Sequence, residues 1–141
     1  MGSEMTGSVR NVYAENCIMD SPNLDRALRI KTNSVRGGTV ENVYMRNVKI
    51  GQVAEAVLKI NFNYGEGDTG KFTPTVRNIN MENVTSGKSK HALSISGYER
   101  SPITDIHLKN CTFDNVEKPN ILIGVKNLAM DNVKINGKSV K

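Results

Sequence analysis

The sequence has no tryptophan, only 5% aromatic residues, four prolines and two cysteines among its 141 residues. A core without large rings has to be aliphatic, built here from Val, Ile, Leu and Met. Cys17 and Cys111 permit at most one disulfide, and nothing in their spacing has the pattern of a metal site, so no metal or other cofactor is expected. No apolar run approaches membrane-span length, and no secretory signal is recognisable ahead of the first repeat, so no membrane partner is expected. The length is that of one domain, 1–141, large enough to bury a core. Nineteen basic residues against fourteen acidic give a net charge of +5, which fits an anionic partner without specifying one. The basic residues are not interleaved with aromatics and the four tyrosines are scattered, so nucleic acid is not the expected partner.

What the sequence does contain is an internal repeat. Five segments align without gaps: VRNVYAENCIM from Val9, VENVYMRNVKI from Val40, VRNINMENVTS from Val76, ITDIHLKNCTF from Ile103 and VKNLAMDNVKI from Val125. Val12, Val43, Ile79, Ile106 and Leu128 form one apolar column. Ala14, Met45, Met81, Leu108 and Met130 form another, two residues on, which is the period of a strand with one buried face. Cys17 and Cys111 share a third column with Val48, Val84 and Val133, so both are expected as buried, unbonded small hydrophobes.

Position seven of the unit reads Glu15, Arg46, Glu82, Lys109, Asp131, alternating in sign at each step. Position two reads Arg10, Glu41, Arg77 and alternates likewise. Opposite charges across neighbouring strands stabilise a sheet, so consecutive repeats are expected to be neighbours in space. Asn16, Asn47, Asn83, Asn110 and Asn132 recur at position eight, where stacked amides at a bend can bond the backbone and the next coil. A second strand follows each unit: Leu28–Lys31, Leu58–Asn61, Leu93–Ser96 and Ile121–Gly124. Two strand regions per coil with asparagine bends predict an all-β chain, a right-handed parallel β-helix of four to five coils. QVAEAVLK, 52 to 59, alone has helix-forming composition, and AVLKIN within it fits the strand ladder better.

The stretch DRALRIKTN, 25 to 33, places Arg29 and Lys31 on the outward side of such a strand, with Lys59 and Asn61 one coil further along. No acidic residue is expected between Arg29 and Lys59 in that column. Stacking like charges is unfavourable unless an anion relieves them.

RIK at 29–31 on an outward β-helix strand resembles the motif of polygalacturonases, the family 28 glycoside hydrolases. Tyr64 in NYGEGDTGKFTP lies in a loop resembling the one that carries that family's active-site tyrosine. GSEMTGSVRNVYAENC resembles the stretch after the family's catalytic histidine motif, with Gly2-Ser3 as its last two residues. The resemblance implies that Arg29 and Lys31 bind a galacturonate carboxylate, with Lys59 beside them and Tyr64 against the sugar. A guanidinium grips a carboxylate through two parallel hydrogen bonds, and an ammonium adds a compact charge.

The same resemblance implies inverting hydrolysis by aspartates in NTD and DD motifs, and neither motif occurs in these 141 residues. His91 and His107 are expected to be plain surface residues. Glu66 and Asp68 sit in a Gly-rich loop that holds them poorly, and Asp25 is expected as the ion-pair partner of Arg29. No catalytic residue is therefore assigned. The chain is expected to be the C-terminal part of a secreted or periplasmic hydrolase β-helix, binding acidic oligogalacturonate without turning it over. Its first coil, around Val9 to Met19, is expected to pair with a second copy or to aggregate, because bare strand edges recruit other chains. A carbohydrate-binding or scaffold β-helix without catalytic history is the alternative.

Overall fold

A computed structural model describes residues 7–35, 37–62 and 70–140. Ten strands follow one another: β1 (Ser8–Met19), β2 (Arg26–Lys31), β3 (Thr39–Ile50), β4 (Ala56–Asn61), β5 (Thr75–Ser86), β6 (His91–Ser96), β7 (Ile103–Phe113), β8 (Ile121–Ile123), β9 (Val125–Ile135) and β10 (Lys138–Val140). Strands of odd number up to β9 stack in one sheet in the order β1-β3-β5-β7-β9, with β10 at its end. The even strands β2-β4-β6-β8 form a second sheet. Every pairing between coils is parallel, so the chain is a right-handed parallel β-helix in which each turn lies on the one before.

The register is the one the repeat predicts. Val12 faces Val43, Val43 faces Ile79, Ile79 faces Ile106 and Ile106 faces Leu128. The alternating column stacks as Glu15, Arg46, Glu82, Lys109 and Asp131. Only its first step closes an ion pair, Arg46 Nη1 to Glu15 Oε1 at 3.3 Å; both side chains are largely solvated, so its worth is small. In the shorter column Glu41 lies between two guanidinium groups, 2.7 Å from Arg10 Nε and 2.5 Å from Arg77 Nε.

The long strands bend twice, and asparagine makes both bends except the first of β7, which is made by Asp105. Asn11 and Asn16, Asn42 and Asn47, Asn78 and Asn83, Asp105 and Asn110, and Asn127 and Asn132 all have φ between 53° and 60°. Asn and Asp enter this left-handed region more readily than other L-residues. Their amides then form ladders between coils: Asn42 Nδ2 donates to Asn11 Oδ1 and Asn78 Nδ2 to Asn42 Oδ1, while Asn47 donates to Asn16 and Asn83 to Asn47. Each long strand is thus three short legs, and the cross-section of the coil closes around an aliphatic interior. Ile30, Val43, Met45, Leu58, Ile60, Ile79, Met81, Leu93, Ile95 and Ile106 are at most 2% exposed.

Both cysteines are free and Cys111 is buried in the third column, but Cys17, expected to be buried, is only half-buried, because β1 is the end strand of its sheet. β10 was not expected from the repeat. It turns back on β9 antiparallel through Asn136-Gly137, with φ of 54° and 79° at the two central residues. Asn-Gly is the residue pair that a two-residue hairpin of this hand favours, so the signal was present in the sequence.

Candidate functional site

On the second sheet, side-chain alternation sends Leu28 and Ile30 into the core and Arg29 and Lys31 outward. Register then builds two outward rows. Arg29 faces Lys59, Lys59 faces Ser94 and Ser94 faces Ile121. Lys31 faces Asn61, Asn61 faces Ser96 and Ser96 faces Ile123. The structure thus places the predicted residues Arg29, Lys31 and Lys59 on one surface; Tyr64 lies outside the described residues, as do Glu66 and Asp68.

This surface is partly covered. Val57 and Ala92 share the outward parity of Lys59 and Ser94, yet both are fully buried, and Ser94 is only 5% exposed. The turns on either side of the sheet stack as regularly as its strands. On one side Ala54 N donates to Leu24 O, His91 N to Glu55 O and Lys118 N to Lys90 O. On the other Thr32 N donates to Asn61 O, Phe62 N to Ser96 O, Phe72 N to Ser34 O, and the Tyr98 hydroxyl to Phe62 O at 2.7 Å. The outer face of the second sheet is therefore flanked on both sides by stacked turns.

Three sequence expectations need correction. The column was expected to hold Arg29 and Lys59 without relief, but Glu55 ion-pairs with Lys59 and with Arg26 at once. Glu55 escaped notice because it precedes β4 and belongs to no repeat column; only the turn brings its carboxylate back to the strand. Asp25, expected beside Arg29, instead lies 3.9 Å from Arg26 Nη1. Arg29 and Lys31 are half-buried, and neither is without a partner. The third correction concerns His91, expected on the surface. It is 8% exposed, and its Nδ1 lies 2.7 Å from the Pro119 carbonyl. It opens β6 in the inward column opposite Ala56, where the carbonyl of the next turn supplies a partner that a surface position would not need. His107 is exposed, in the outward row with Tyr44 and Asn80.

Two carboxylates, Glu41 and Glu55, are held below the usual carboxylate value. The hydrogen bond from Arg77, with the charges of Arg77 and Arg10, holds Glu41 below the ordinary value of 4.5 despite some desolvation. Burial pushes Glu55 up, but the hydrogen bonds and charges of Lys59 and Arg26 outweigh it and leave Glu55 below 4.5 as well. A carboxylate with a depressed folded pKa contributes stability above its unfolded value and loses it as pH falls through the folded one. The melting temperature is therefore expected to be insensitive to these groups above about pH 5 and to drop below pH 4.5. In the double variant Glu41→Gln, Glu55→Gln the acid limb should be shallower; an identical limb by thermal melting across pH would refute the assignment.

The sequence matches the family model for glycosyl hydrolases family 28 over residues 1–134. It is 28% identical over 116 residues to a protein of Vitis vinifera described as a probable polygalacturonase, an overlap of 79% of this chain and 23% of that protein. The fold superimposes with a TM-score of 0.91 and 36% identity on the crystal structure of a hyperthermoactive exopolygalacturonase from Thermotoga maritima. That match covers 97% of this chain and 30% of that one.

Proposed function

Because the chain belongs to the glycosyl hydrolases of family 28, we propose that the outer face of its second sheet grips the carboxylate of a galacturonate unit. Arg29 and Lys31 make that grip, with Lys59 beside them and Tyr64 against the sugar. The observation that carries the reading is the register of these cations on one partly covered face, with Glu55 already neutralising part of the Lys59 charge. Arg29 supplies a planar fork and Lys31 a point charge, a pairing suited to a carboxylate.

The reaction this serves in a longer protein is hydrolysis of α-1,4-galacturonosyl bonds with inversion. One carboxyl protonates the leaving oxygen, and others activate water on the opposite face of the sugar. Glu41 and Glu55, the carboxylates whose environment lowers their pKa, are held by arginine and lysine, the wrong bias for a general acid. The 141-residue chain is therefore expected to bind and orient acidic oligosaccharide without turnover, and the longer protein to act in a secreted or periplasmic setting.

Titration calorimetry with oligogalacturonate tests this. Arg29→Ala and Lys31→Ala should each weaken binding by about tenfold, the effect of one charge-assisted contact. If the parent chain does not bind, the non-catalytic scaffold reading replaces this one.

For the 141-residue chain by itself the same proposal includes pairing with a second copy through β1. Val9, Val12, Ala14, Cys17 and Met19 are only partly covered, whereas their register partners Val40, Val43, Met45, Val48 and Ile50 are 1–4% exposed. Ile18 is 79% exposed on the same strand. Sedimentation should show a discrete dimer, and a monomer would refute the pairing.

A further inference from the structure

The outer face of the second sheet changes character along its length. Read in register from the first coil to the fourth, one row is Arg29, Lys59, Ser94, Ile121 and the other Lys31, Asn61, Ser96, Ile123. Cations give way to Asn61 and two serines, and these to two isoleucines that are 36% and 57% exposed. Neighbouring strands lie about 4.8 Å apart, so the isoleucines stand about 14 Å from Arg29 along the sheet. An oligosaccharide lying along the rows and held at Arg29 and Lys31 reaches them a few units later.

A carboxylate set against Ile121 and Ile123 would lose hydration without gaining a charged donor from that face, which is unfavourable. A methyl ester in the same place has no charge to desolvate and covers apolar surface. We propose that the Ile121/Ile123 end of this face takes a sugar unit whose carboxyl is uncharged, a methyl-esterified uronate, and so sets the esterification pattern the face prefers. The inference rests on the reading of Arg29 and Lys31 as the carboxylate grip, because that grip fixes which unit faces the isoleucines.

The test is calorimetry with tetra-, penta- and hexagalacturonate, each compared with isomers carrying a methyl ester on one terminal unit only. At one of these lengths the parent chain should bind one end-esterified isomer at least as tightly as the fully acidic oligomer. In the double variant Ile121→Lys, Ile123→Lys the preference should reverse by about tenfold in favour of the acid. Both positions are exposed at the last strand of the sheet, so the variant should fold, which circular dichroism checks.

If every end-esterified isomer binds more weakly than the acid at all three lengths, or if the lysines leave the ratio unchanged, the proposal is wrong. Binding that survives Arg29→Ala refutes the carboxylate grip instead. A parent chain that binds none of the oligomers refutes both.

Discussion

Ile60→Ala is expected to lower the unfolding free energy by about 3–4 kcal/mol, a large fraction of what a domain of this size has. Ile60 is fully buried in the column Ile30, Ile60, Ile95, Leu122, with a coil on each side. In a solenoid each coil packs only on its neighbours, so a cavity in an inner coil weakens two interfaces at once and cannot be filled from a distant part of the chain. Leu122 occupies the last position of the same column and is 43% exposed. Leu122→Ala should therefore cost about 1 kcal/mol, since much of its surface is already in water. Urea denaturation of both variants measures the difference. Equal shifts in midpoint would mean that the column is not the packed interior described here.

The second large effect is expected at Gly124, the single residue joining β8 to β9. Its φ is +63°, and a Cβ there would come within 2.8 Å of the Gly97 carbonyl carbon and 2.9 Å of its oxygen. These are backbone atoms held in place, because Gly97 N donates to Ile123 O and Ile103 N donates to Gly124 O. Gly124→Ala thus combines a left-handed conformation with a collision that no side-chain rotation relieves, and should destabilise by about 2–5 kcal/mol. Gly137 separates the two contributions. Its φ is +79°, but nothing lies within 4 Å of the position a Cβ would take. Gly137→Ala should show the conformational part alone, about 1 kcal/mol. Thermal melts of the two variants decide the matter; a Gly124 effect no larger than that at Gly137 would remove the steric argument.

The repeat columns carried the fold because their periodicities are local. Alternation of Val12 and Ala14 specifies an inward face wherever the strand lies, and the signs at Glu15, Arg46 and Glu82 specify which coil is next. The asparagine columns marked the bends, since few other residues accept a positive φ at little cost. RIK at 29–31 was legible for the same reason: parity alone puts Arg29 and Lys31 on the outer face. What periodicity does not contain is how a turn folds back. Glu55 reaches Lys59 and Arg26 only because the turn before β4 delivers it there, and His91 is buried because the next turn brings the Pro119 carbonyl to its ring. The burial of Val57, Ala92 and Ser94 likewise comes from what lies over the strand and not from the parity of the strand that carries these residues. Sequence by itself determined the order of the coils, their inward and outward faces and the cationic row. Tertiary structure alone decided which charges are neutralised and how far that row is covered, because those properties arise between residues that no repeat brings into one column.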